Sequence, residues 1–195
     1  MARPRTFDEA DVVRSARNQF HRSGYAGTSL DDLCRVTGLG KGSLYASFGD
    51  KHDLFLRAFD LYCQEIVTET RADLQGSGRA YLLLLGHVRA MAKATVADRK
   101  HLGCLMAKGA AELSSTDPEV ITRARATVTD LRAALADCIA MAQQEGDLAA
   151  HADPDRLAAL ILAVLRGVEA LGQAGADPDL IHAAAEQAID LLPRP

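Results

Sequence analysis

Residues 28–55 read TSLDDLCRVTGLGKGSLYASFGDKHDLF, and this stretch decides how the N-terminal part of the chain folds. Its hydrophobic spacing predicts two short helices, over 29–37 and 41–48, separated by a turn rich in glycine. Helices of this length cannot bury a core by themselves, so they must pack against the amphipathic helix predicted over 8–23. The arrangement that results is a helix-turn-helix.

The helix predicted over 41–48 presents a face without acidic residues. At about 1.5 Å per residue it is about 12 Å long, which suits insertion into a DNA major groove of similar width. Its outward residues offer hydrogen-bond donors for base edges and phosphates. Each neighbouring helix adds one residue that is expected to contact the flanking phosphates. The expected DNA contacts are Lys41, Gly42, Ser43, Tyr45 and Ser47 on this helix, with Thr28 and Lys51 on its neighbours. The alternative is an ordinary helical corner whose outward residues only face solvent.

The glycines around this turn do not form a nucleotide-binding loop. A P-loop needs Ser or Thr directly after Gly-Lys, whereas Gly40-Lys41 is followed by Gly42. A catalytic arrangement is also missing from the sequence, which has neither G-x-S-x-G nor H-E-x-x-H and scatters its 6 histidines. We therefore predict that the protein is not an enzyme and needs no cofactor.

Charge is distributed unevenly along the 195 residues. Residues 1–57 hold nine Lys or Arg against seven Asp or Glu, whereas the remainder holds 13 against 19. No stretch approaches the ~20 apolar residues of a membrane span, so a cytoplasmic location without membrane attachment is expected. The 4 cysteines form no C-x-x-C pair, and we predict neither a metal site nor a disulfide framework.

Helical spacing continues through the whole sequence, and strand patterns are nearly absent. Three Asp-Pro pairs, beginning at Asp117, Asp153 and Asp177, are typical helix starts because they combine a capping carboxylate with a proline at the first helical position. Nine helices are predicted, over 8–23, 29–37, 41–48, 51–75, 79–97, 103–113, 118–145, 154–174 and 178–192.

Residues 28–55 resemble the DNA-binding signature of the TetR family of transcriptional regulators. The family pattern falls on Thr28, Leu33, Gly38, Leu44-Tyr45, Phe48 and Lys51. The resemblance implies an all-α fold, with a three-helix DNA-binding domain over 1–50 and a helical domain for effector binding and dimerisation over 51–195. It further implies a ligand-responsive regulator: a repressor that binds a pseudo-palindromic operator as a dimer and is released by a small molecule. The alternative to a ligand-responsive regulator is an architectural DNA-binding protein that has no effector.

In the TetR resemblance the last two helices pair with their copies in a second subunit. A homodimer is also expected because one short recognition helix contacts too few bases for useful specificity. The expected interface is the apolar stripe of these helices, formed by Leu157, Ile161, Val164, Leu165, Val168, Ile181, Ala185 and Ile189. The other interpretation of this stripe is a core within one chain.

The resemblance also implies a pocket for a small effector among the middle helices, and the sequence does not identify the molecule. Candidate lining residues combine a polar or adaptable side chain with an apolar helix. They are Tyr62, Tyr81, His87, Met91, Cys104, Met106 and Glu169, with Glu112 and Met141 of the same kind. For each of them a purely structural role is the alternative. Cys104 lies near a predicted helix start, where its thiol serves either as a redox or electrophile sensor or as a small buried hydrophobe.

Overall fold

The computed structural model describes residues 7–195 and contains nine helices and no strand within that range. The all-α prediction is confirmed. The helices are α1 (Glu9–Ser23), α2 (Leu30–Thr37), α3 (Lys41–Phe48), α4 (Lys51–Leu74), α5 (Ala80–Ala97), α6 (Leu105–Leu113), α7 (Pro118–Gln144), α8 (Pro154–Gln173) and α9 (Pro178–Asp190). None of these nine combines the length and the hydropathy that a membrane-spanning helix requires.

Four of the helices, α2, α7, α8 and α9, begin directly after a residue whose side chain caps the first turn. Ser29 and Asp32 form a reciprocal capping box at the start of α2, in which each side chain accepts from the other residue's backbone N–H. The Asp-Pro prediction is confirmed at all three places. Asp153 accepts from the N–H of Asp155, Asp177 from that of Asp179, and Asp117 from that of Glu119.

The chain divides into two compact units. One runs to Glu65 and includes Cys104–Ala124, and the other contains Ile66–Gly103 and Arg125–Pro195. This division differs from the predicted boundary at residue 50, because the first half of α4, all of α6 and the start of α7 belong with the helix-turn-helix. A functional division with DNA binding confined to residues 1–50 stays a prediction.

The first unit has an aromatic core. Phe20, Phe55 and Phe59 are fully buried, and the rings of Phe20 and Phe55 meet edge to face at 5.1 Å. Gly109 of α6 lies against this cluster, since a Cβ at that position would lie 2.7 Å from Phe59 Cε2. The short helices α2 and α3 therefore rest on a support built from distant parts of the sequence.

The second unit is a helical bundle in which α5 packs against α8 and α9, and these two pack against each other. Its core contains Leu84, Leu135, Ile139, Ile161 and Ile181, all of them buried. The apolar faces of the long helices converge here because each carries its large aliphatic residues at three- and four-residue spacing.

Candidate nucleic-acid interface and ligand cavities

Two buried side chains hold α3 in place, so that its other faces point outward. Leu44 and Phe48 are buried, whereas Lys41, Gly42, Ser43 and Tyr45 are exposed and Ser47 is half-buried. The α2–α3 turn uses Gly38 with a φ of 71°, a conformation that side chains other than glycine rarely adopt. A Cβ at Gly42 would meet nothing within 4 Å, so the first turn of α3 is open to close approach.

The exposure of Tyr45 shows whether the outward surface of α3 is accessible to another molecule. The side chain of Tyr45 is 52% exposed, which places it among the exposed large hydrophobic residues in the part of the chain that the structure describes. A purely structural tyrosine would lie with its ring against the core. The exposed ring and hydroxyl instead offer a stacking surface and a donor to a molecule outside the chain.

Lys41 is held by a neighbouring helix. Its Nζ lies 2.8 Å from Oδ1 of Asp31, which is exposed on α2. The hydrogen bond from Lys41 to this carboxylate raises the pKa of the lysine, so Lys41 carries its charge at neutral pH. The pair is exposed and therefore weak, so a phosphate or a guanine edge can replace Asp31 as the partner of Lys41.

The two flanking residues differ in their availability. Lys51 is half-buried, and its Nζ lies 4.3 Å from the centre of the Tyr25 ring. Thr28 is fully buried, and its hydroxyl donates to the carbonyl of Gly24 at 2.7 Å. The hydroxyl thus closes the turn before α2 and does not face solvent. A contact between Thr28 and a DNA phosphate stays a prediction. The buried side chain of Thr28 does not support that contact in this structure.

Glu112 plays a part that the sequence did not reveal. Its two carboxylate oxygens accept from the backbone N–H groups of Tyr25, at 2.9 Å, and of Ala26, at 2.6 Å. These amides belong to the loop between α1 and α2, 86 and 87 residues away in sequence. Glu112 is among the candidate effector contacts that the sequence suggests, and that role stays a prediction. In the structure its carboxylate fixes the loop that leads into the helix-turn-helix.

A second link within this unit involves His52 and Asp117. His52 Nε2 contacts Oδ2 of Asp117, the residue that caps α7. Burial alone raises the pKa of Asp117, but the hydrogen bonds from His52 and the backbone N–H groups of Val120 and Glu119 outweigh it, so that the pKa is lowered. His52 also lies near Asp50 and Asp53, and the three side chains could supply ligand atoms within 4.8 Å of one another. These carboxylates already cap α4, since Asp50 accepts from the N–H of Asp53 and the reverse bond is also present.

Two small cavities lie in the second unit. One, of about 150 Å³, is lined by Met91, Ala94, Thr95, Asp98, Gly103, Glu169, Gly172 and Gln173. The other, of about 90 Å³, is lined by Ile66, Glu69, Thr70, Asp73, His87, Met91, Leu131, Arg166 and Glu169. Three of the predicted effector contacts, His87, Met91 and Glu169, are therefore brought together. Met91 and Glu169 contribute to both cavities.

The other predicted effector contacts line neither cavity. Tyr81 is buried in the second unit and its ring lies under the guanidinium of Arg194, at 4.1 Å. Tyr62, Cys104 and Met106 are buried in the first unit. The burial of Cys104 fits a packing role, and its function as a thiol sensor stays an untested prediction.

The predicted dimer surface overlaps the core of the second unit. Six of the eight residues are buried in the core of their own chain: Ile161, Leu165, Val168, Ile181, Ala185 and Ile189. The remaining two, Leu157 and Val164, are partly buried against the same core. The six buried side chains are occupied by the core of their own chain, whereas Leu157 and Val164 keep part of their surface exposed. The most apolar face of each helix packs into the core of its own chain. That this stripe forms the dimer interface stays a prediction.

Comparison with known proteins supplies the family. A profile described as "Bacterial regulatory proteins, tetR family" matches residues 12–58, and one described as "Tetracyclin repressor-like, C-terminal domain" matches residues 84–188. The chain belongs to the TetR family. As a TetR regulator it carries the family's DNA-binding domain at the position of the helix-turn-helix described above.

Relatives of this TetR-family chain extend over its whole length. It is 24% identical over 192 residues to the HTH-type transcriptional repressor ComR of Escherichia coli K12, covering 98% of this chain and 91% of that protein. A TetR regulator from Chloroflexus aurantiacus is 27% identical, with a TM-score of 0.81 over 92% of this chain and 90% of that one. A cysteine mutant of the TetR family regulator CifR, solved in complex with 26-bp double-strand operator DNA, is 26% identical. Its TM-score is 0.84 over 98% of this chain and 100% of that one.

Proposed function

We propose that this TetR-family protein is a repressor that binds a pseudo-palindromic operator as a homodimer and is released by a small-molecule effector. The observation that carries the proposal is the exposed, acid-free surface of α3, which presents Lys41, Ser43 and Tyr45 to the outside of the chain. The operator complex of CifR supports the same use of this domain, because that relative resembles the chain along almost its whole length.

The dimer is proposed to form through faces of α8 and α9 that the core leaves exposed. On α8 these residues are Leu160, Ala163, Gly167 and Ala170, at three- and four-residue spacing, and on α9 Leu180 and Ala183 are exposed. Small residues let two helices approach closely, while the leucines supply the apolar area of the contact. Two copies related by a two-fold axis would then present two α3 helices to the two half-sites of an operator.

Effector release is proposed to act through α4. This helix begins at Lys51, and further along it Ile66 and Thr70 line the smaller cavity. A ligand that favours a different placement of α4 shifts the population toward a second state of the dimer. In that state the distance between the two DNA-binding domains fits the operator less well. The effector must bind that second state more tightly, or it has no effect on the DNA affinity.

Selection from genomic fragments with the purified protein tests DNA recognition. We expect one pseudo-palindromic sequence to be enriched, and Lys41→Ala to weaken its binding by about 1–3 kcal/mol at particular base pairs if Lys41 reads a base edge. Equal weakening of all sequences would instead make Lys41 a phosphate contact. Lys93→Ala is the matched control, since Lys93 is exposed on α5 in the other unit. Enrichment of no sequence would contradict the proposal.

The dimer is tested by sedimentation of Ala163→Glu, which places a charge on the proposed interface of α8. We expect the dimer to dissociate at micromolar concentration, because burying two unpaired carboxylates costs several kcal/mol. Ala90→Glu is the control at an exposed position on α5. An unchanged dimer in the α8 variant would place the interface elsewhere.

A further inference from the structure

Glu169 forms part of the wall of both cavities in the second unit. Its side chain is only 16% exposed, and Nη1 of Arg166 lies 2.8 Å from its Oε2. This oxygen is buried, and although the guanidinium is close, it receives no well-directed hydrogen bond. Burial raises the pKa of Glu169, while the charge of Arg166 opposes the shift. A buried carboxylate with incomplete hydrogen bonding is costly to the fold unless a ligand completes it.

Acidic groups outnumber basic ones around this residue. The larger cavity is lined by Asp98 and Glu169 and by no Lys, Arg or His. The smaller cavity adds Glu69 and Asp73 against Arg166 and His87. The excess of negative charge favours a cation over an anion in this space.

Several of these acidic side chains already have hydrogen-bond partners within the chain. This limits the number of places where a cation can bind. Asp98 accepts from the backbone N–H groups of Lys100, Leu102 and Gly103. Asp73 contacts Nδ1 of His87 at 2.9 Å. Glu69 is exposed and can be hydrated by solvent. Glu169, which lines both cavities, is therefore the acid among these with a buried oxygen that lacks a hydrogen bond.

The other walls limit the size and the polarity of the ligand. Met91, Ala94 and Thr95 line the larger cavity, so an apolar group fits beside the carboxylate. A cavity of about 150 Å³ lined by apolar side chains is large enough for benzene. A bare metal ion fits less well, because in residues 7–195 the only set of three potential ligand groups close enough to share one is Asp50, His52 and Asp53, in the other unit.

We propose that these cavities bind a small organic cation, an amine with a hydrocarbon group about the size of a benzene ring, whose ammonium group contacts Glu169. The hydrocarbon group occupies the larger cavity beside Met91, and the ammonium group donates to the carboxylate. This assignment gives the chemical class of the effector and rests on the proposed function of the protein as a ligand-responsive regulator.

Three probes of almost equal size and different charge test the assignment: benzylamine, benzyl alcohol and benzoate. Their affinities for the full-length protein are measured by titration calorimetry at physiological ionic strength. We expect benzylamine to bind about tenfold more tightly than benzyl alcohol, because its ammonium charge attracts the carboxylate whereas the alcohol is neutral. Benzoate should bind most weakly, because its negative charge is repelled by the carboxylate. Equal affinities, a preference for benzoate, or no binding of any probe at millimolar concentration would overturn the proposal.

Glu169→Gln keeps the shape of the side chain and removes its charge. We expect this variant to lose the tenfold preference for benzylamine while binding benzyl alcohol as before, which shows that the cavity is intact. Glu186→Gln is the matched control, because Glu186 pairs with Arg89 on the surface of the same unit. A preference for benzylamine that survives in Glu169→Gln would also overturn the proposal.

DNA binding is measured separately, with and without benzylamine, on the selected operator fragment. If benzylamine binds at Glu169 but the protein selects no DNA, the proposed function fails and the cation site stands. If the protein selects an operator but no probe binds, the cation site fails and DNA recognition stands.

Discussion

Replacing Glu112 by alanine should loosen the loop between α1 and α2. The carboxylate accepts two backbone N–H groups, from Tyr25 and Ala26, at 2.9 and 2.6 Å. A hydrogen bond to a charged group contributes about 1.5–3 kcal/mol, and the lower end applies here because Glu112 is exposed. We therefore expect Glu112→Ala to lower the free energy of unfolding by about 2–3 kcal/mol. Glu112→Gln, which keeps one acceptor oxygen, should lose about half as much.

Amide hydrogen exchange gives this prediction a residue-specific measurement. Protection at the amides of Tyr25 and Ala26 should fall at least about tenfold in Glu112→Ala, since 1.4 kcal/mol corresponds to a factor of ten. Glu119→Ala is the control, because that exposed carboxylate pairs with Arg123 one turn along its own helix, and such a pair contributes about 0.5 kcal/mol or less. Unchanged protection at both loop amides in Glu112→Ala would refute the reasoning.

Four further outcomes follow from particular residues. Gly109→Ala should destabilise the protein by about 1–3 kcal/mol in chemical denaturation, because its Cβ would lie 2.7 Å from Phe59 Cε2. Gly86→Ala meets nothing within 4 Å and should stabilise it by about 0.5–1 kcal/mol. Hydrogen bonds from Ser29 and Arg35 lower the pKa of Asp32 to about 2. The ionised carboxylate therefore stabilises the fold above pH 4. The difference in free energy of unfolding between wild type and Asp32→Asn should shrink as the pH falls from 4 toward 2. Lys51→Ala should weaken binding to all DNA sequences alike and reduce the slope of log affinity against log salt by about 1.

The helix-turn-helix shows how far local sequence can determine a structure. The spacing of Leu33, Leu44 and Phe48 predicts both helices and their buried sides, and Ser29 with Asp32 predicts where α2 begins. Each of these signals acts over three or four residues, so no knowledge of the distant chain is needed. The exposed side of α3 follows from the same spacing.

Side chains that suit two different partners are harder to assign from the sequence. The apolar stripe of α8 and α9 is equally suited to a second chain and to the core, and the structure assigns Ile161, Val168 and Ile181 to the core. Thr28 carries a hydroxyl that fits a phosphate or a backbone carbonyl, and here it donates to Gly24. A side chain's chemistry limits its possible partners but does not select among them.

The sequence by itself determined the helical class, the positions of nine helices within a few residues, and the acid-free face of α3, because helix formation and capping are decided by near neighbours. Only the tertiary structure decided which face of α8 remains exposed, that Glu112 fixes a loop 86 residues away, and that Glu169 adjoins two cavities. These depend on contacts between segments far apart in the chain, where packing of the complete core selects one arrangement among many that local patterns allow.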